Sequence, residues 1–292
     1  MDSTFRSKLA LGTVQLGLPY GINNPFGKPS SEDSASILQL ALSEGIDLLD
    51  TAESYGDSIA IIGQYINQNP TAHFKVVSKF ISNPNQTISC GLANSLKALQ
   101  AKSIYAYLFH RIQDYKSGVF TSELLELKRT GKFKKLGVSL YALDDLKIVL
   151  DDNNIELIQI PFNVFDNSAE KRQLLNQAKS LGKEIHVRSV FLQGLFHKKP
   201  DELTGKLEPL KNPLSIMQTL VARFDQRIDS VCLNHALCQP FIDKVIVGVE
   251  TQEQLKQNID VAGEQIPSEL FELLEEIDIE QKELLNPSNW VV

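Results

Sequence analysis

The sequence predicts a closed barrel of eight parallel strands, each followed by a helix: a (β/α)8 fold in a single domain spanning residues 1–292. Three observations predict it. Short β-branched runs alternate with longer amphipathic stretches about eight times along the chain. Eight such units need roughly 250 residues, which this chain supplies. No G-x-G-x-x-G follows the first strand, which argues against the rival, an open dinucleotide-binding sheet.

The elements follow in order. Residues 9–12 form the first strand, and a Gly/Pro/Asn-rich loop leads to a helix opened by Ser31-Glu32-Asp33. In that helix Ile37, Leu38, Ala41 and Leu42 share one face, and Gly45 ends it. Residues 46–50 form the second strand, and a helix through Ile59, Ile62 and Ile66 stops at Pro70. Strands at 74–79, 104–109, 135–139, 155–160, 184–190 and 244–247 come next. Their helices cover 88–99, 118–130, 143–150, 169–181, the pair 214–224 and 228–238, and 253–261. A polar insertion fills 198–212, and a last amphipathic helix covers 267–277.

Composition excludes several classes. Net charge is -7, with 42% hydrophobic and 22% charged residues, so there is no basic footprint for nucleic acid. Cys90, Cys232 and Cys238 make no even disulfide set and no C-x-x-C pair, and the five histidines show no H-x-x-x-H, so no metal site is expected. The N-terminus is too polar for a signal peptide, and no apolar run nears the roughly 18 residues of a membrane span. The expectation is a reduced, cytoplasmic protein without a membrane or nucleic-acid partner.

In such a barrel the functional groups sit at the carboxyl ends of the strands. Here those ends carry Gly12-Thr13, Asp50, Lys79, His110, Ser139, Gln159 with Asn163, Arg188-Ser189, and Gly248. All are polar or glycine. Each has a plain structural reading: Asp50 as a turn cap, Tyr55 as a loop tyrosine, His110 as a core histidine. Lys79 is harder to dismiss, because a lysine ending Val-Val-Ser is costly to bury unpaired. Together, Asp50, Tyr55, Lys79 and His110 make one chemistry. A lysine beside a tyrosine lowers the phenol's pKa from about 10. A carboxylate holds the lysine, and a histidine orients a carbonyl oxygen. Such a phenol protonates an oxygen gaining charge as hydride reaches carbon, and the hydride must come from a cofactor.

These residues resemble the aldo-keto reductase superfamily over nearly the whole chain. Residues 50–56, Asp-Thr-Ala-Glu-Ser-Tyr-Gly, are similar to its D-T-A-x-x-Y-G; Val77-Ser78-Lys79 and Leu108-Phe109-His110 resemble its lysine strand and L-x-H segment. The resemblance implies a barrel that uses NADPH or NADH, with Asp50, Tyr55, Lys79 and His110 as the catalytic tetrad. It also implies a cofactor set: Gly12, Thr13, Asp50, Ser139, Gln159, Arg188, Ser189, Phe191, Gln193, Gly194, Gly248, Gln254 and Asn258. Ser139 and Gln159 would meet the carboxamide, the turn through Gly194 the pyrophosphate, and Gly248 to Asn258 the adenosine. Two residues depart from the pattern. Leu140 replaces an asparagine, and Arg188 stands where an aromatic ring packs on nicotinamide. At the adenosine end Glu250 and Gln254 replace the cation that many relatives pair with a 2′-phosphate, so the expectation is weaker NADPH binding than usual, with NADH open to use.

The loop 15–28, the insertion 198–212 and the tail with Trp290 are expected to wall the carbonyl pocket, with Trp290 and Phe26 either walls or plain packing. By analogy alone, the first loop resembles relatives acting on sugar-derived carbonyls. Three readings stand: an NAD(P)H-dependent carbonyl reductase or alcohol dehydrogenase, a cofactor-binding barrel with little turnover, and a Schiff-base lyase using Lys79.

Overall fold

The computed structural model describes residues 3–290. Eight parallel strands close in chain order: β1 (Leu9–Gly12), β2 (Leu48–Asp50), β3 (Lys75–Phe80), β4 (Ile104–Phe109), β5 (Phe133–Ser139), β6 (Leu157–Pro161), β7 (Glu184–Arg188) and β8 (Lys244–Gly248). β8 pairs back on β1, aligning Gly12 with Gly248. The helices Ser31–Ser43, Ser58–Gln68, Ile88–Leu99, Thr121–Arg129, Leu143–Val149, Ala169–Ser180, Lys211–Arg223, Ile228–Leu237 and Gln252–Val261 lie between strands or after β8, and Ser268–Glu275 follows. This is the closed (β/α)8 barrel that the alternation predicts.

Boundaries differ from the sequence reading for local reasons. β2 begins at Leu48 because the amide of Ile46 donates back to Ala41 O (2.8 Å), closing the preceding helix around Gly45 at φ +81°. β6 begins at Leu157 because the amide of Ile155 is spent in a turn on Asp152 O (3.1 Å). β7 stops at Arg188 because Ser189 takes φ +62°, outside any strand geometry. Two short helices, Val14–Gly17 and Ile112–Lys116, occupy segments read as loop, being too short to show a period. The segment 192–210 holds short 3₁₀ stretches, Leu192–His197, kinked at Gln193 and Gly194, then Pro200–Glu202 and Gly205–Leu210. Several helices start on side-chain caps: Ser30, Thr87, Ser168 and Thr251 each accept the amide three residues on.

Strand alternation sorts side chains into layers. Ala10, Leu48, Val77, Ala106, Leu108, Leu157 and Ile246 form one apolar cluster, the barrel lumen. The opposite phase, including Leu9, Leu11, Leu49, Val76, Tyr107, Phe109 and Val138, packs under the helices. A separate cluster gathers Leu192, Leu195, Phe196, Met217, Val231, Leu270, Leu274 and Trp290 beside the 3₁₀ turns and the last helices. Among the described residues, no helix is long and apolar enough to cross a membrane.

Candidate active site

The lumen phase fixes which side chains meet at the open end. Two residues beyond Ala10, Leu48, Val77, Leu108, Leu157 and Ile246 come Gly12, Asp50, Lys79, His110, Gln159 and Gly248. Gly137 and His186 lead in the same way to Ser139 and Arg188. The site is the lumen's apolar stack continued upward by polar residues. Adjacent strands set the rungs: Gly12 beside Asp50, Ser139 beside Gln159.

Lys79 is the hub. It is 0% exposed, and its Nζ donates to Asp50 Oδ2 (2.6 Å), Thr51 O (2.9 Å) and Tyr55 Oη (3.4 Å). Those three acceptors use all three ammonium hydrogens. Burial lowers the lysine's pKa, and the Asp50 carboxylate opposes that. Asp50 Oδ1 accepts from Gln159 Nε2 (2.7 Å), so both carboxylate oxygens are held. His110 meets Tyr55 edge-on, with ring centroids 5.8 Å apart, and its Nδ1 pairs with Ser54 Oγ at 3.3 Å. That leaves Nε2 as its free ring nitrogen. Burial, followed by the charges of Lys79, Arg188 and Arg111, holds the His110 pKa at about 3. The imidazole is therefore neutral at pH 7 and orients an oxygen as a dipole.

Tyr55 departs from one expectation. Lys79 does not win a net lowering of the phenol's pKa. Burial dominates and raises it, the Asp50 charge adds to the rise, and Arg188 pulls the other way. The phenol is thus protonated at neutral pH. The lysine's hydrogen bond to Oη strengthens as negative charge develops there.

The loop that carries Tyr55 is pinned from two sides. The amide of Glu53 donates to Lys79 O (3.0 Å), and its carboxylate accepts from Tyr107 Oη and Ser95 Oγ behind the barrel wall. On the other side lie Gly17 and Gly56. A Cβ on Gly17 would stand 1.8 Å from Tyr55 O and 2.7 Å from Ser58 N. Gly56 sits at φ +56°, so the two backbones touch only because neither carries a side chain.

A cleft of about 430 Å³ runs from Tyr55 and His110, past Ser139 and Arg188, along Ser189–Gly194, to Gly248–Glu250, Gln254 and Asn258. Of the expected cofactor residues, Gly12, Thr13, Asp50, Ser139, Arg188, Ser189, Phe191, Gln193, Gly194, Gly248, Gln254 and Asn258 line it. Gln159 and Lys79 do not; they stand behind Asp50 and Tyr55. A nucleophilic lysine needs a free face on the cleft, which Lys79 lacks, and this argues against the lyase reading. The first loop contributes Gln15, Tyr20, Gly21 and Asn23. Among the described residues, neither 198–212 nor the tail as far as Trp290 lines the cleft, contrary to expectation. Trp290 is 3% exposed and donates Nε1–H to Leu284 O (2.7 Å) in the separate apolar cluster, and Phe26 points to solvent. Tyr141 and Asp229, which the sequence reading missed, line the cleft. Tyr141 follows Ser139 by two, the spacing that would have found it. Asp229 reaches the cleft from a distant helix and left no local signal.

The cleft fits an extended dinucleotide. Its lining runs from the strand ends to the helix after β8, and it includes a strained turn: Ser189, Leu192, Gln193 and Gly194 all have positive φ, between +46° and +86°. Gln15 Oε1, in the cleft wall, is buried without a hydrogen-bond partner.

Comparison with known proteins agrees with this geometry. A profile described as the Aldo/keto reductase family matches residues 8–279. The chain belongs to that family, whose members are NAD(P)H-dependent oxidoreductases of carbonyls and alcohols. The aldo-keto reductase YhdN of Bacillus subtilis (strain 168) is 25% identical, over 90% of this chain and 87% of its own length. The NADH-specific methylglyoxal reductase of Escherichia coli (strain K12) is 24% identical, over 87% of this chain and 89% of its own. Among solved structures, an aldo-keto reductase from Bacillus halodurans in its holo form superimposes with TM-score 0.76, at 18% identity and 95% coverage of both chains. A glycerol dehydrogenase from Gluconobacter oxydans gives TM-score 0.70 at 20% identity, covering 92% of this chain and 90% of its own.

Proposed function

We propose that the protein reduces an aldehyde or ketone to an alcohol, reversibly, with NADH as the preferred hydride donor and Tyr55 as general acid. One observation carries this reading: Lys79 Nζ lies between Asp50 and the Tyr55 phenol at the open end of the barrel. A nicotinamide bound along the cleft supplies the hydride. The residues do the rest. His110 Nε2–H aligns the carbonyl oxygen toward Tyr55. The phenol gives its proton to that oxygen as negative charge builds. Lys79 stabilises the phenolate left behind, and Asp50 keeps the ammonium charged and fixed. Ser139 would hold the carboxamide end of the cofactor, Ser189 to Gly194 the pyrophosphate, and Gly248, Gln254 and Asn258 the adenosine.

The choice of NADH rests on charge. Among the described residues, the only lysine or arginine lining the cleft is Arg188, at the reacting end. Glu250 lies at the other end, where it repels a 2′-phosphate and accepts ribose hydroxyls. The test joins two measurements. In fluorescence titration NADH should bind at least about tenfold tighter than NADPH. Tyr55→Phe should keep that binding and lose about 10²- to 10⁴-fold in turnover across a panel of aldehydes, ketones and sugars. Tighter NADPH binding sinks the cofactor assignment. Undiminished turnover removes Tyr55 as the acid. Tight cofactor binding without consumption by the wild type supports the binding-protein reading instead.

A further inference from the structure

Arg188 and Leu140, the two departures from the family pattern, turn out to be one structural unit. The side chain of Leu140 is fully buried in the layer beneath the helices, and its carbonyl accepts from Arg188 Nη2 (3.0 Å). Arg188 Nη1 reaches Ser189 Oγ at 3.4 Å, and the guanidinium lies 4.2 Å from the centre of the Tyr141 ring. These contacts hold the group in place but use only part of its five N–H donors. Among the described residues, no carboxylate lies within ion-pair distance of it, whereas Lys79, Lys135 and Lys171 each have one.

The charge balance at the reacting end is therefore uneven. Two cations, Lys79 and Arg188, stand near one carboxylate, Asp50, which Lys79 already pairs at 2.6 Å. His110 adds no charge at neutral pH. Arg188 acts electrostatically on Tyr55, Lys79, His110 and Tyr20, so its charge reaches the place where a carbonyl must sit. A half-buried guanidinium without a counter-ion is costly unless a ligand completes it.

We propose that Arg188 binds a carboxylate of the substrate, so that the carbonyl compound reduced here is an oxo acid. The proposal rests on the reductase reading above and names its substrate class. One surplus positive charge matches a monoanion; a phosphate dianion would exceed it. The planar fork pairs a carboxylate through two N–H groups at once. Tyr141 and Leu140 O fix the fork's plane, and the acid's carbonyl is then set against Tyr55 and His110.

The experiment compares substrates that differ only in the acid group: 4-oxobutanoate with butanal, and 4-carboxybenzaldehyde with benzaldehyde. Each is measured with NADH for the wild type, Arg188→Gln and Arg188→Lys. The wild type should favour the acids by about tenfold or more in kcat/KM, a preference the size of a charge-assisted contact. Arg188→Gln should bring the ratio near one, through KM of the acids, and Arg188→Lys should restore part of it. No acid preference in the wild type overturns the proposal, as does a preference that survives in Arg188→Gln. A weakened NADH affinity in Arg188→Gln with an unchanged acid-to-neutral ratio assigns Arg188 to the cofactor instead, and also overturns it. Calorimetric binding of succinate and benzoate to the NADH-loaded protein separates the two readings if no substrate turns over. Binding lost in Arg188→Gln keeps this inference while the reductase reading falls. Absence of binding to the wild type ends it.

Discussion

His110 shows how burial, rather than residue type, sets a group's role. An imidazole ordinarily titrates near 6.5, inside the physiological range. Here its pKa lies at about 3 because burial and three nearby cations disfavour a further charge. Since the shift is downward, the ring is neutral at every pH above that value. The Tyr55 phenol, raised above 10 by burial and Asp50, stays protonated through the same interval. With both groups in their working forms, neither should put an inflection into kcat/KM for reduction of a neutral aldehyde between about pH 5 and pH 9. A stopped-flow or steady-state pH profile checks this. A step near pH 6.5 that disappears in His110→Asn would show that the histidine titrates after all. Sequence gave these residues' identities at their strand ends. It did not give the sign of the tyrosine's shift, which depends on how completely the folded site buries the phenol and on the nearby Asp50 charge.

At the scale of the element, the loop between β2 and the helix Ser58–Gln68 is the part that must be held. Its backbone touches the short helix Val14–Gly17 at Gly17. Gly17→Ala places a methyl group against the Tyr55 carbonyl, a backbone atom that cannot swing aside. The loop must shift by about 1 Å, and a displacement of that size costs up to about 10²-fold in rate. The expected outcome is a fall in kcat, with NADH affinity little changed, because Gly17 does not line the cleft. Steady-state kinetics with fluorescence titration would show it; full kcat would mean that the loop tolerates the displacement. The sequence made strands and long helices legible because their periods repeat over many residues. Four- and five-residue helices carry no such period. The 3₁₀ turns after β7 depend on left-handed residues such as Leu192 and Gln193, types that do not advertise that conformation.

The whole barrel divides its labour between its two ends. Opposite the cleft, Glu184 accepts from His186, Lys135 and Tyr105, while Lys75 and Lys244 pair with Asp47. Burial alone would raise the Glu184 pKa, but its partners, His186 foremost, bring it well below 4.5. A lowered carboxyl pKa adds stability above the unfolded value of about 4.5, and that stability drains away as pH falls below it. Glu184→Gln should therefore cost about 2 kcal/mol at pH 7, and the gap from wild type should narrow in acid. Urea unfolding at pH 7 and pH 3.5 measures both, and an equal gap at the two pH values would place the stabilisation elsewhere. Turnover per folded molecule should not change, since this network lies at the far mouth. The sequence revealed the fold and the rim because both repeat eight times. It misplaced the tail because Trp290 belongs to an apolar cluster whose other members are spread from Val164 to Leu285, and no local pattern encodes that grouping.

Each strand-end residue of the rim keeps lumen parity, and on six of the eight strands it stands two steps beyond an apolar residue of the lumen cluster. One codon gained or lost inside a strand would turn that strand's reactive group outward, under the helices, and bring a greasy neighbour to the mouth. A length change is compatible with this chemistry only in the connections, away from the pinned Tyr55 loop, where the rim residues stay in phase.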